Sequence, residues 1–67
     1  MKWIASSSIS KNLHFEIDCD ELVGLYLYIF DNNKCTHDYL QDTLEIAMEF
    51  AWKKYGIPKN AWIKVDD

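Results

Sequence analysis

The stretch DTLEIAMEFAWKKYG, Asp42 to Gly56, decides the fold because its residue spacing predicts one amphipathic helix. Asp42 or Thr43 can place a side-chain oxygen on the free N–H groups of a first helical turn, which favours a helix start there. Gly56 can adopt the left-handed conformation that ends a helix, and Pro58 cannot continue one. The segment therefore carries its own start and stop signals.

One side of this helix is predicted to face a hydrophobic core. At about 100° per residue, the side chains on a single apolar stripe are Leu44, Ala47, Met48, Ala51 and Tyr55. Trp52 flanks this stripe, whereas Ile46 and Phe50 fall outside its centre. Ile46 and Phe50 have two interpretations: they extend the core beneath the C-terminal segment, or they form a contact surface. We favour the first, because a domain of this size has little apolar area to leave uncovered.

Four segments before the helix are predicted to be β-strands, because polar and apolar residues alternate or β-forming residues cluster along them. The predicted strands are Trp3 to Ile9, Leu13 to Cys19, Leu22 to Phe30 and Cys35 to Gln41. The first is serine-rich and is expected at a sheet edge, whereas the third is expected at the centre. Short turns between them predict an antiparallel four-stranded meander with the helix packed on one face. After the helix, Ile57 to Val65 forms either a short last strand or a tail beside the helix, and we favour the tail.

The composition is typical of one folded α+β domain spanning residues 1–67. Hydrophobic residues make up 49% of the chain and aromatic residues 15%, which argues against disorder. Cys19 and Cys35 are too few for the disulfide framework of a small secreted domain. The apolar run Leu22 to Phe30 is too short to span a membrane. We therefore expect a cytoplasmic protein without a membrane partner.

The charge balance is acidic and constrains the partner. Eleven Asp and Glu residues stand against seven lysines, arginine is absent, and the lysines are scattered. Binding to nucleic acid needs clustered Lys and Arg to release counterions from the phosphates, so we expect no nucleic-acid partner. A protein with a basic surface fits better, because complementary charge speeds encounter. Alternatively, the net charge of −4 only keeps a small protein soluble.

The sheet face opposite the helix is predicted to be rich in tyrosine and to have no cover. In a regular hairpin after the Asn-Asn turn, Tyr28 lies opposite His37. Tyr26 then lies opposite Tyr39, and a one-residue slip would exchange the residues of the fourth strand. Such a face is typical of a protein-binding patch, although the tyrosines can also be simple strand formers or line a homodimer interface. The candidate partner-binding residues are Glu16, Asp18, Asp20, Glu21, Tyr26, Tyr28, Asp31, His37 and Tyr39.

The sequence favours neither a catalytic nor a metal-binding site. The four nominal zinc ligands are His14, Cys19, Cys35 and His37. Their spacing matches neither C-x₂-C nor H-x₃₋₅-H. Cys35 and His37 are two residues apart on one strand, about 7 Å, which is too far for a hydrogen bond between a nucleophile and its base. We therefore expect no enzyme activity, no cofactor and no metal.

The segment YLYIFDNNKCTHDYLQDTLEIAMEFAWKKYGI, Tyr26 to Ile57, resembles known families over roughly half of the 67 residues. Its strand ending in Phe-Asp, Asn/Lys turn, short polar strand and Asp-Thr-Leu-Glu helix start resemble the small acidic immunity proteins encoded beside Rhs-type polymorphic toxins. Its helix start is also similar to the Thr-Leu-Glu-Glu-Ala helix of the Hic-type antitoxins. The residues that match this second pattern are Thr43, Leu44, Glu45 and Ala47, and Ile46 replaces the second glutamate. Both resemblances imply that the chain holds a toxin inactive.

Two functions are therefore expected. The first is an immunity protein or antitoxin that binds a cognate toxin with a basic surface and occludes its active site or substrate groove. Carboxylates would take the positions of substrate phosphates, and Tyr26, Tyr28 and Tyr39 would form the buried anchor. The second is a small structural or adaptor domain that forms a homodimer through its sheet and has no toxin partner. The free chain is expected to be a monomer in the first case and a homodimer in the second.

Overall fold

The computed structural model describes residues 1–7, 9–20, 22 and 24–65, which form a five-stranded antiparallel sheet with one helix packed on it. The elements in chain order are β1 (Lys2–Ser6), β2 (Leu13–Asp20), β3 (Gly24–Asp31), β4 (Lys34–Gln41), α1 (Leu44–Tyr55), a 3₁₀ turn (Lys59–Ala61) and β5 (Ile63–Val65). The strand order is β4-β3-β2-β1-β5, so the first four strands form a meander. The predicted α+β class and meander are confirmed.

The helix α1 begins and ends at the residues whose chemistry predicted its ends. The Thr43 hydroxyl accepts a hydrogen bond from the Ile46 N–H at 3.2 Å, which satisfies a donor of the first turn. At the other end Gly56 has a φ of 72°, and its N–H donates to the Trp52 carbonyl at 2.9 Å. The Ile57 N–H donates to the Ala51 carbonyl at 3.3 Å and closes the last turn. Of the two candidate caps, Thr43 is the one used.

The core lies between α1 and the face of the sheet that the helix covers. Its largest fully buried side chains are Phe15, Ile17, Leu27, Ile29 and Ile57. The helix contributes Ala47 and Ala51, both completely buried, and their small side chains let the helix axis approach the strands closely. The predicted core stripe of the helix is therefore confirmed.

The C-terminal segment and the first strand differ from the prediction. Ile57 to Val65 does not remain a tail, because β5 (Ile63–Val65) pairs with β1. The cause is Trp62, which is buried with its ring centroid 6.5 Å from that of Phe15 and brings the chain back across the core. Consequently β1 lies between β2 and β5 and is not an edge strand.

Two predicted strands are also longer than the observed ones. The first ends at Ser6, and Ser8 within its predicted range lies outside the described residues. The third strand is predicted to begin at Leu22, but it begins at Gly24, which has a φ of 115°. Leu22 lies before the strand and is 95% exposed. Val23, also predicted in this strand, lies outside the described residues.

The register between β3 and β4 shifts by one residue, which overturns the predicted facing of the fourth strand. Asn32 and Asn33 adopt positive φ in the turn as expected, and Phe30 pairs with Cys35. The next pair is Ile29 with His37, so one extra residue, Thr36, forms a β-bulge. The Thr36 hydroxyl donates to the Ile29 carbonyl at 3.3 Å and stabilises this arrangement.

Beyond the bulge, the residues of β4 exchange faces. Tyr28 pairs with Asp38 and Tyr26 pairs with Leu40. His37 and Tyr39 pair with buried residues of β3 and therefore lie on the helix-covered side. The prediction that His37 and Tyr39 share a face with the β3 tyrosines is wrong.

The two faces of the sheet make a matched pair of leucine substitutions informative. Leu27→Ala removes a fully buried side chain, and we expect a loss of about 2–5 kcal/mol in the free energy of unfolding. Leu40→Ala removes a side chain that is 57% exposed on the neighbouring strand, and we expect a change of about 0.5 kcal/mol or less. Urea denaturation followed by circular dichroism measures both. Equal losses would contradict the face assignment.

Candidate protein-binding face

The candidate site is the sheet face opposite α1, here called the open face. Strand alternation and the observed register place three groups of side chains on it. They are the aromatic residues Tyr26, Tyr28 and Phe30 of β3, the polar residues His14, Glu16, Asp18 and Asp20 of β2, and Asp38 and Leu40 of β4. Lys2 and Ile4 of β1 and Ile63 of β5 lie on the same face. Within the described residues, the helix packs only on the other face, together with the buried core.

The aromatic side chains of the open face hold one another in place. The rings of Tyr26 and Tyr28 are stacked with centroids 5.9 Å apart, and Phe30 lies 6.5 Å from Tyr28. The His14 imidazole stacks on Phe30 at 4.6 Å, with an angle of 2° between the ring planes. All four side chains are half-buried. Because neighbours already restrict their rotamers, these rings can contact a partner with little further loss of side-chain entropy.

Carboxylates flank this aromatic row on both sides. Asp18 lies opposite Tyr26 on β2, Glu16 lies opposite Tyr28, and Asp38 lies opposite Tyr28 on β4. The only ion pair of this region in the described part of the chain joins Lys2 Nζ to Glu16 Oε2 at 3.8 Å. The open face is therefore both aromatic and predominantly acidic.

The surroundings of Tyr28 raise the pKa of its phenol. Burial raises its pKa above the ordinary value of 10.0, and the nearby charge of Asp18 raises it further. The charge of Asp38 on the other side of the ring acts in the same direction. Tyr28 thus stays an uncharged hydroxyl that can donate or accept a hydrogen bond at neutral pH.

The structure brings together five of the nine predicted partner-binding residues. Those on the open face are Glu16, Asp18, Asp20, Tyr26 and Tyr28. Asp31 pairs with Leu13, so the alternation places it on the helix-covered side, at the end of the sheet. His37 and Tyr39 also belong to that side, and Glu21 lies outside the described residues. Sequence reasoning missed Asp38 and Leu40, which occupy the places expected for His37 and Tyr39.

Tyr39 instead attaches β4 to the helix. Its ring centroid is 4.7 Å from that of Phe50, and its hydroxyl lies 3.4 Å from Lys54 Nζ. The same ammonium group sits 5.4 Å from the Tyr39 ring and 5.5 Å from the Phe50 ring, which is cation–π geometry. Phe50 therefore extends the core, as favoured, but against β4 and not beneath the C-terminal segment. Ile46 on the same side of the helix is 45% exposed.

No group of three or more His, Cys, Asp or Glu side chains among the described residues is placed to hold a metal ion. Cys19 and Cys35 are free thiols. A depression of about 260 Å³ at the end of α1 is lined by Trp52, Pro58 and Lys59. No helix in the part of the chain described is long and apolar enough to cross a membrane.

The charges beside Tyr28 predict the direction in which its titration moves. A phenolate next to two carboxylates is disfavoured, so we expect Tyr28 to titrate above 10.0 in a ¹³C NMR pH titration of the tyrosine side chains. Asp18→Asn removes one negative charge and should lower the Tyr28 pKa. Glu45→Gln on the helix is the control and should leave it unchanged. A Tyr28 pKa that does not respond to Asp18→Asn would contradict this geometry.

Comparison of the chain with protein-family models, with curated proteins and with solved structures found no match. The fold and the chemistry of the open face are therefore the basis for the function proposed below.

Proposed function

We propose that this chain is an immunity protein or antitoxin that neutralises a cognate bacterial toxin by binding it directly and occluding its active site or substrate groove. The observation that carries the proposal is the open face, where a row of mutually packed aromatic rings on β3 lies between Glu16 and Asp18 of β2 and the single carboxylate Asp38 of β4. The resemblance of Tyr26 to Ile57 to immunity proteins of Rhs-type toxins supports the same role.

The aromatic row supplies the contact area that a tight complex needs. Tyrosine side chains combine a large apolar surface with a hydroxyl, and they are enriched among the residues that dominate binding energy. Tyr26 and Tyr28 are half-buried and adjacent, so a partner can complete their burial without reordering them. These two side chains are the proposed anchor of the complex.

The carboxylates specify the partner's charge. Glu16, Asp18 and Asp38 surround the anchor, and Lys2 is the one cation paired with them in the described region. A toxin that acts on nucleic acid has a basic groove, because it must bind phosphates. In this proposal the carboxylates take the positions of phosphates in such a groove, and the complementary charge speeds association. Such a toxin acts in the cytoplasm, where we place this chain.

The second candidate function is a homodimeric adaptor that joins two copies through the open face. The observation in its favour is that Leu40 and Ile63 are large and exposed on that face. Against it, two copies would bring their carboxylate rows together, and like charges in contact are destabilising. We expect a monomer by light scattering at micromolar concentration. A stable dimer that Tyr28→Ala dissociates would favour the adaptor.

The anchor is tested by removing both tyrosine rings. The chain is expressed with an affinity tag, and its toxin is identified by co-purification. The toxin is confirmed when the chain rescues cells that express it. The dissociation constant of the complex between chain and toxin is then measured. Replacing Tyr26 and Tyr28 together by alanine should weaken binding by at least about 100-fold, because such anchors contribute about 2 kcal/mol or more each.

The controls separate the surfaces of the chain. Trp52→Ala removes an aromatic side chain that is 55% exposed on the helix, and affinity should not change. Phe50→Ala tests the Ile46 and Phe50 side of the helix as the rival surface. Circular dichroism confirms that each variant is folded. Wild-type affinity in a folded double-tyrosine variant would disprove the role of the open face.

A further inference from the structure

The strand β4 forms an edge of the sheet along its whole length. It pairs with β3 alone, and none of the backbone hydrogen bonds found outside regular elements in the described residues involves it. It is eight residues long, whereas β5 at the opposite edge has three. An edge strand of this length presents outward N–H and C=O groups that can pair with another strand.

The bulge limits which part of this edge is available. Around Thr36 the backbone departs from regular pairing, and such distortion protects an edge from unwanted association. From His37 to Gln41 the pairing with β3 is regular. A segment of about five residues, His37 to Gln41, is therefore the part that an added strand can extend.

Apolar surface lies on both sides of this regular segment. On the open face Leu40 is 57% exposed and Tyr26 lies behind it on β3. On the other side Phe50 packs on Tyr39, and Ile46 is exposed one turn earlier on the helix. Side chains of an added strand point alternately to the two sides. One set would meet Leu40 and Tyr26, and the other would meet Tyr39, Phe50 and Ile46 with the Lys54 ammonium group beside the two rings. These side-chain contacts would add to the backbone hydrogen bonds of the edge.

The charge at the edge indicates the chemistry of the added strand. Asp38 is exposed on the open face and takes part in none of the ion pairs among the described residues. A Lys or Arg of the added strand directly opposite Asp38 would complete a cross-strand pair. Asp18, two strands further in on β2, adds to the same negative field beside Tyr28.

We propose that His37 to Gln41 receives an extended basic segment of the partner protein as a sixth strand, with apolar side chains on both sides and a Lys or Arg opposite Asp38. The identity of the partner rests on the proposed function, whereas the existence of the docking edge does not. The open face and the Ile46 and Phe50 side of the helix then become two sides of one docking edge.

A second copy of the chain fits this edge less well. Symmetric antiparallel pairing about Tyr39, the middle of the regular segment, sets Asp38 of each copy opposite Leu40 of the other. Both carboxylates then lack a cation, and each copy already carries a net charge of −4. A basic strand from a different protein avoids both difficulties.

The experiment uses a phage-displayed library of random heptapeptides selected on the immobilised full chain. We expect selected peptides that contain Lys or Arg between apolar residues. The tightest one is synthesised, and ¹⁵N NMR shifts locate it. The largest shifts are expected from His37 to Gln41. The peptide is then N-methylated at one backbone nitrogen at a time. Methylation at every second residue should weaken binding at least about 10-fold, because only alternate N–H groups face the edge, and methylation at the intervening residues should have little effect.

A charge reversal at the edge gives a matched pair of variants. Asp38→Lys should weaken the peptide at least about 10-fold by placing like charges opposite each other. Glu49→Lys makes the same change on the exposed side of the helix, where it removes only the 2.9 Å ion pair with Lys53, and should leave affinity unchanged. Circular dichroism confirms both folds.

Several outcomes would overturn the docking edge. They are selection of no peptide, binding at the depression beside Trp52, sensitivity to N-methylation without alternation, or a solution dimer of the chain through β4. The two proposals fail separately. If sensitivity to N-methylation alternates along the peptide but no toxin partner is found, the docking edge is supported and the immunity function is rejected. If a toxin binds through Tyr26 and Tyr28 but the sensitivity does not alternate, the immunity function is supported and the docking edge is rejected.

Discussion

The packing of one short helix on one side of the sheet is the constraint on which the rest of this structure depends. The twelve residues of α1, together with Ile57 and Trp62 that follow them, cover this side, where Phe15, Ile17, Leu27 and Ile29 are buried. Among the described residues, no second α-helix lies on the other side of the sheet. That side must therefore be stable in water and still form good strands. Tyrosine and carboxylates alternating with the aliphatic core residues meet both needs, because tyrosine favours strands and carries a polar hydroxyl.

The elements that the sequence predicts well are those specified by local chemistry. Thr43 and Gly56 set the ends of the helix through hydrogen bonds to residues three or four positions away. β2 and β3 alternate cleanly, and a slip of β2 by one residue would move Phe15 and Ile17 together out of the core, so the register is strongly specified. The pairing of β5 with β1 depends instead on the contact between Trp62 and Phe15, which are 47 positions apart in the sequence. No local sequence pattern predicts a contact at that separation.

The register of β4 shows why the part of the candidate site on this strand could not be predicted. Its residues KCTHDYLQ are mostly polar and exposed, so burial does not distinguish one register from the next. The choice is made by the bulge at Thr36, whose hydroxyl reaches the Ile29 carbonyl. As a result Tyr39 leaves the open face and packs between Phe50 and Lys54, where it joins the edge strand to the helix. Compared with the prediction, the open face loses one tyrosine, one histidine and Asp31, and it gains Asp38 and Leu40.

The position of β4 also links binding to stability. The strand is held by its ladder with β3 and by the contact of Tyr39 with the helix, and most of its side chains are exposed. Such an edge belongs to the less protected part of a fold, because few buried contacts oppose its local opening. In a domain near the lower size limit for a single core, the net stability is only a few kcal/mol, so even a modest stabilisation of this strand is a large fraction of it. A partner that pairs with β4 binds only the folded arrangement of this strand and adds its binding free energy to that of the fold. Occlusion of a toxin and stabilisation of the small inhibitor would then arise from the same backbone hydrogen bonds.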